Sequence, residues 1–305
     1  MPWTTADIPD LSGRRVIVTG ANSGIGLAAT AQLMAHGAAV TMAVRDELKG
    51  RAAAALVEDG GSGSIEVAWL DLADLASVRQ FAATWREAHP EGLDVLVNNA
   101  GVMAIPRRES ADGFELQLAT NHLGHFALTG LLVGALRPDG RVVTVSSSMH
   151  RMGRIDFDDL QGATRYRKWG AYGQSKLANV LFALELHRRA EAADVPLRSI
   201  AVHPGYADTN LQAVGPRMSG HRLEATVMGW ANRLFGQSAE AGAWPTLRAA
   251  TDPDLPSGTF VGPTGLRGAR GAPGLETPSD AARDPETARG LWEVSTELTG
   301  VEYPW

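Results

Sequence analysis

Short apolar runs rich in β-branched residues recur along the chain, at 15–19, 39–44, 65–70, 93–97, 141–145 and 197–202, with a last one at 258–261. Between them lie stretches with apolar residues at helical spacing, about 24–36, 48–58, 75–88, 113–136, 170–193 and 239–250, and a final one near 285–298. A strand that reads as an unbroken apolar run is buried on both faces. Such strands, separated by helices, predict an α/β fold: a doubly wound parallel sheet of about seven strands with helices on both sides. No low-complexity linker splits residues 1–205, so 1–305 is expected to be a single domain.

Two segments break the rhythm. Residues 206–236 hold Leu223, Val227, Trp230 and Leu234 at i, i+4, i+7 and i+11, one apolar face of a helix. Residues 262–274 carry glycine at every third position. So few triplets cannot sustain a triple helix, and 262–283 is expected to be a surface loop with a polar continuation.

Composition narrows the function. A net charge of -6 without a basic block argues against nucleic acid or an anionic membrane as the main partner. The absence of cysteine excludes a disulfide framework, a thiol nucleophile and a cysteine-bound metal. No run of about 18 apolar residues predicts a membrane span, and the first residues lack a signal-peptide pattern, so a cytoplasmic protein is expected. His122, His125 and His150 have no further ligands at metal-binding spacing, so no metal is expected. Asp156, Asp158 and Asp159 read as a solvated turn.

Gly20-Ala21-Asn22-Ser23-Gly24-Ile25-Gly26 follows the first strand directly and opens the first helix. Glycines permit a sharp turn and close approach to a pyrophosphate, and a helix start offers unpaired N–H groups and the positive end of a dipole. This strand–turn–helix context favours phosphate binding over a plain turn, although the spacing G-x-x-x-G-x-G departs from the usual dinucleotide fingerprint. At the tip of the second strand, a carboxylate would bond the adenosine ribose of NAD. Val44 stands there instead, followed by Arg45. A guanidinium grips phosphate through charge-assisted bonds worth roughly 1.5–3 kcal/mol, about ten- to a hundredfold in preference. The expected cofactor is therefore NADP(H), with NAD(H) as second option; the plain alternative is a solvated surface arginine. Asp46 is expected to face away and start the next helix.

Tyr172 and Lys176 stand one helical turn apart, so both project from the same face. A free tyrosine titrates near pH ~10. A cation at roughly 4 Å in a partly screened site favours the phenolate by about 4 kcal/mol, which would make the phenol a working acid and base. Alone, Y-x-x-x-K reads more plainly as a half-buried tyrosine beside a solvated lysine.

The motifs come in a definite order. Thr19-Gly20-x-x-x-Gly24-Ile25-Gly26 is followed by Asp71-Leu72, Asn98-Asn99-Ala100-Gly101, Asn121, Ser147, Tyr172, Lys176, and His203-Pro204-Gly205 with Thr209. Over nearly the whole chain this series resembles the short-chain dehydrogenase/reductase family. Ala21-Asn22-Ser23, Arg45-Asp46 and the stretches 120–126 and 175–179 are similar to its retinol dehydrogenase-like branch. The resemblance implies a Rossmann-like oxidoreductase that moves a hydride between NADP(H) and an apolar alcohol or carbonyl. Tyr172 would pass the proton, Lys176 would lower its pKa and bond the nicotinamide ribose, and Ser147 would donate to the substrate oxygen. Spacing alone does not separate Ser147 from Ser146 and Ser148. Asn121 would hold a water linking Lys176 to solvent, or else merely sit at a helix irregularity.

The resemblance also implies the cofactor contacts. Gly20, Asn22, Ser23, Gly24, Ile25 and Gly26 would meet the phosphates, Asp71 and Leu72 the adenine, and Asn98, Ala100 and Gly101 the adenosine ribose. Pro204, Gly205 and Thr209 would hold the nicotinamide end. Asp71 has an alternative as a helix-start acid. The family places its substrate cover at 206–236, and often pairs through the helix carrying Tyr172, so a homodimer or homotetramer is implied. Two rival functions remain: a C=C reductase resembling protochlorophyllide reductase, and a non-catalytic NADP-binding regulator, which would have no need of Ser147, Tyr172 and Lys176.

Overall fold

Alternation within the strands decides how the sheet is covered. Val16 and Val18 pack on one side, with Leu33 and Met34 of the first helix and Leu247 of a later one. Ile17 between them points to the other side, into a layer with Phe81, Trp85, Phe126, Phe182 and Trp292. Each face therefore buries its own apolar set, at about 1.5–3 kcal/mol for each large side chain, and both must be capped by helices.

The computed structural model describes residues 2–206 and 238–305. Its strands are β1 (Arg15–Thr19), β2 (Ala39–Val44), β3 (Ser64–Trp69), β4 (Leu93–Asn98), β5 (Leu136–Val145), β6 (Arg198–Val202), β7 (Phe260–Gly265) and β8 (Arg270–Leu275). They form one sheet in the order β3-β2-β1-β4-β5-β6-β7-β8. All neighbours are parallel except β7 and β8. The longer helices are α1 (Gly24–Ala35), α2 (Glu47–Ala54), α3 (Leu75–Ala88), α4 (Gly124–Leu132), α5 (Lys168–Ala192), α6 (Ala239–Thr251) and α7 (Pro285–Thr299). The strand order reverses between β1 and β4, which opens a crevice at their C-terminal ends. The expected doubly wound single domain stands, with eight strands rather than about seven.

Two expectations change, and a third falls outside the described residues. The helix expected at 113–136 is broken: one turn at Leu116–Leu118 runs into a π-helical bulge at Ala119–Leu123 before α4 begins. The surface loop expected at 262–283 is instead largely the antiparallel β7–β8 hairpin, followed by a short helix at Asp280–Arg283. Its strands pair Gly262 with Gly274 and Pro263 with Pro273, so no apolar alternation marks them; Pro273 is tolerated because β8 is an edge, and Pro263 because it lies past the β6 pairing, at a register shift. Of the cover expected at 206–236, all but Tyr206 lies outside the described residues, as does Thr209.

Candidate active site

The C-terminal ends of β1, β4, β5 and β6 converge on a cavity of about 580 Å3. Gly20 and Gly24, both at positive φ, turn the chain from β1 into α1. A Cβ on Gly20 would stand 3.0 Å from Ala100 Cα, and one on Gly26 would stand 2.6 Å from Asn99 Nδ2. Ser23 occupies the N-cap position of α1 without a side-chain capping bond, so its hydroxyl leaves the N–H groups of the first turn to the cavity. Thr19 stitches this loop to β4: its hydroxyl accepts from the N–H groups of Asn99 and Ala100, both at 2.9 Å, and lies 2.9 Å from His125 Nε2.

Arg45 is exposed at the end of β2 and lines the cavity with Lys49. Asp46 caps α2 by accepting from Lys49 N–H, as expected, and pairs with the Lys49 ammonium at 2.7 Å, so its charge is committed to that helix start, but it does not face away: it too lines the cavity. Asp71 and Leu72 also line the wall. One Asp71 oxygen accepts from Ala73 N–H, whereas Asp74, not Asp71, caps α3.

At the other end, α5 carries Tyr172 and Lys176 into the cavity wall, both almost fully buried. Lys176 Nζ donates to the Val145 carbonyl at 3.2 Å and sits 5.9 Å from the Tyr172 ring centroid. Burial pushes the Lys176 ammonium down to about 8. Burial also pushes the Tyr172 phenol up to about 12, against a lowering hydrogen bond from the Ser147 hydroxyl. Desolvation is the largest influence on the phenol and Lys176 is not among the influences, so the lowering that the spacing argument expects is not seen.

Geometry separates the three serines. Ser146 is buried and donates to the Lys176 carbonyl at 2.6 Å, and Ser148 is exposed. Ser147 faces Tyr172 and caps the turn Ser148–Met152, accepting from Met149 N–H. Asn121 lies in the π-bulge and is tied to the Val102 backbone in both directions, at 2.7 and 3.0 Å, and to the Ser175 hydroxyl. A Cβ on Gly101 would stand 3.0 Å from Asn121 Oδ1 and 3.4 Å from Lys176 Nζ, so these two groups flank one point.

Two predicted residues are not brought to the cavity wall. Asn98 is fully buried and donates to Thr129, turned away from the site. Its neighbour Asn99 lines the wall instead, holding the Thr19 carbonyl at 2.7 Å. In a strand, alternate residues face opposite sides, and a one-residue error at the strand end exchanges them. Asn121 sits just behind the wall. Met103, Met149 and Trp169 line the cavity unforeseen, beside Tyr206, the first residue of the expected cover; Trp169 stands edge-on to Tyr172 at 6.3 Å, and its place one turn before the tyrosine was the available signal. His125 is held by Thr19 and Asn121, and His122 by Ser295.

A family model described as short chain dehydrogenase matches residues 14–218. Polyprenol dehydrogenase of Mus musculus is 43% identical over 96% of this chain and 86% of its own, and retinol dehydrogenase 13 of Homo sapiens 40% over 96% and 87%. A solved structure of an uncharacterised protein from Mycobacterium Paratuberculosis is 46% identical, covers both chains completely and superposes with a TM-score of 0.84. A protein provisionally named as an NAD(P)-dependent gluconate 5-dehydrogenase from Beutenbergia cavernae, with NADP bound at low occupancy, is 30% identical over 80% of this chain and 91% of its own, with a TM-score of 0.60. The chain belongs to the short-chain dehydrogenase family, on its retinol dehydrogenase-like branch, and is an oxidoreductase acting on CH–OH groups.

Proposed function

We propose that the protein uses NADP(H) to interconvert an apolar alcohol and its carbonyl, with Tyr172 as the general acid and base. The observation that carries this reading is one cavity with a glycine-lined helix start and Arg45 at one end, and Ser147, Tyr172 and Lys176 at the other. The residues fit a dinucleotide phosphate: the cradle at Gly20 and Gly26 is space that a Cβ would fill, and the first turn of α1 has no side-chain cap. NADP in the Beutenbergia relative supports the cofactor class.

When bound, the reduced nicotinamide supplies the hydride that a carbonyl carbon receives, and its oxidised form takes one from an alcohol. Tyr172 gives its hydroxyl proton to the carbonyl oxygen in the first direction and removes the alcohol proton in the second. Ser147, whose oxygen accepts from Met149 N–H and whose hydroxyl bonds Tyr172 at rest, turns its O–H to the substrate oxygen where negative charge grows. Lys176 spends one donor on Val145 and has two for the ribose and the developing phenolate. Met103, Met149, Trp169 and Tyr206 give the reacting end an apolar rim, which favours an apolar substrate and excludes water.

The test is NADPH oxidation by the purified chain against ketones, aldehydes, retinoids and steroids. Tyr172→Phe should lower turnover by about 10²–10⁴-fold, while NADPH affinity stays within about threefold. Undiminished turnover would overturn the role of Tyr172. A product that keeps its carbonyl but loses a C=C bond would assign the chain to the rival reductase chemistry.

A further inference from the structure

The hairpin that the sequence hid brings a second set of polar groups to the back of the active site. His203 ends the β6 run, and its ring is buried and stacked on Phe260 at 5.2 Å. Gly205 N–H donates to His203 Nδ1 at 3.2 Å, so that nitrogen carries no proton. Nε2 therefore carries it, and points at Glu276 Oε2, 3.2 Å away just beyond β8. Gly262 lies between them: a Cβ there would collide with the imidazole.

A second relay runs from the same segment. His150 is buried beside Phe260, with ring centroids 5.1 Å apart. Its Nδ1 faces the Ser147 carbonyl at 2.7 Å and must donate, while Nε2 accepts from Ser279 N–H at 3.3 Å. Arg151 ties down the segment after β8 by donating to the Thr277 carbonyl at 2.9 Å. Each ring is satisfied at both nitrogens only as a neutral imidazole, and in opposite tautomers.

We propose that Glu276 and the Ser279 backbone position the two walls of the reacting end, Glu276 through His203 on the Pro204–Gly205 turn and Ser279 through His150 on Ser147. This rests on reading the cavity as a nicotinamide and carbonyl site. The glycines of the hairpin serve the same end. Gly262 makes room for His203, and a Cβ on Gly268 would stand 3.0 Å from Glu276 Oε1. Gly205, at φ +67°, places its missing Cβ 2.5 Å from the Ala269 carbonyl. The turn is thus clasped by the hairpin from outside and by His203 from within.

The first test needs neither turnover nor cofactor. Imidazole ¹⁵N spectra of the free protein at pH 7 should show His203 protonated at Nε2 and His150 at Nδ1. The opposite tautomer at either ring would overturn the relay through it. The second test separates the walls. Glu276→Leu should weaken NADPH binding, read by nucleotide fluorescence, about tenfold, whereas Glu276→Gln, which keeps an acceptor for Nε2–H, should stay within about threefold. His150→Phe should lower kcat about tenfold and leave NADPH affinity unchanged. Equal binding and turnover in Glu276→Leu and wild type would refute the proposal. A loss shared equally by Glu276→Gln would also refute it, since a neutral acceptor would then fail to substitute. Should Glu276→Leu not fold, the Glu276→Gln comparison and the tautomers decide. A wild type that binds no NADPH would sink the reading of the cavity while leaving the tautomers to be judged separately.

Discussion

Lys176 is an ammonium held where an ammonium is unwelcome, and this has a measurable consequence. Its side chain is almost fully buried, and its only direct bond among the described residues is to the Val145 carbonyl. No carboxylate is among the causes that set its pKa; burial alone takes it from 10.5 to about 8. At about 1.4 kcal/mol for each tenfold, that fall corresponds to roughly 3 kcal/mol of folding stability given up at neutral pH. Lys176→Met keeps the length of the side chain and removes the charge. It should therefore raise stability by roughly 1–3 kcal/mol, about 2–6 °C in Tm, while destroying turnover.

The pH dependence gives the sign a check. Between about pH 8 and 10.5 the folded amine binds fewer protons than the unfolded one, so the wild type gains stability as pH rises through that window. The variant has no such gain. Its advantage should be full below pH 8 and shrink toward pH 10.5. Paired thermal melts of the two proteins from pH 6.5 to 10 measure this directly. A variant less stable than wild type at pH 7, or a gap in Tm that does not narrow with pH, would refute the reasoning.

Arg45→Asp should reduce the preference for NADPH over NADH by about ten- to a hundredfold; an unchanged ratio of kcat/KM for the two cofactors would remove Arg45 from the phosphate. Gly26→Ala forces a Cβ to within 2.6 Å of both Asn99 Nδ2 and the Gly20 carbonyl, so it should cost about 1–3 kcal/mol of stability and weaken NADPH binding more than tenfold. Titration matching the wild type would show the cradle to be more yielding than its geometry. One side of α5, the helix through which the resemblance implies pairing, is covered here by α7, and the C-terminal tail packs on the neighbouring α4. Trp292 stacks on Phe182 of α5, Arg189 lies over Trp292, and Tyr303 donates to the Phe126 carbonyl. Cross-links between the α5 helices of two copies should therefore be absent at micromolar concentration; finding them would mean that α7 gives way.

The parts of the fold that the sequence shows are those whose pattern is dictated by burial. β1 and β2 lie where their apolar runs are, because a strand covered on both faces has no freedom in composition. The glycine loop was equally plain, since a turn at positive φ against Ala100 admits little else. Legibility fails where a residue is chosen for what it leaves empty. In the β7–β8 hairpin the informative feature of Gly262 is the volume it yields to His203, and the every-third-residue glycine pattern there does not match a strand's period of two. The exchange of Asn98 for Asn99 has a related cause: both are polar, and only the pleat decides which one meets the cavity.

The Tyr172–Lys176 pair shows a third limit. Spacing places both groups on one helix face, but spacing carries no information about the dielectric around them. At an effective constant of about 20 a cation near 4 Å would lower the phenol by roughly three decades, whereas here burial raises it and lowers the lysine with it. The same desolvation that makes the amine costly makes any charge arriving beside it count for more. On the proposed mechanism, such a site would hold its proton on Tyr172 at rest and release it when further positive charge or a developing alkoxide enters the cavity, so that proton transfer would follow substrate and cofactor rather than solvent pH.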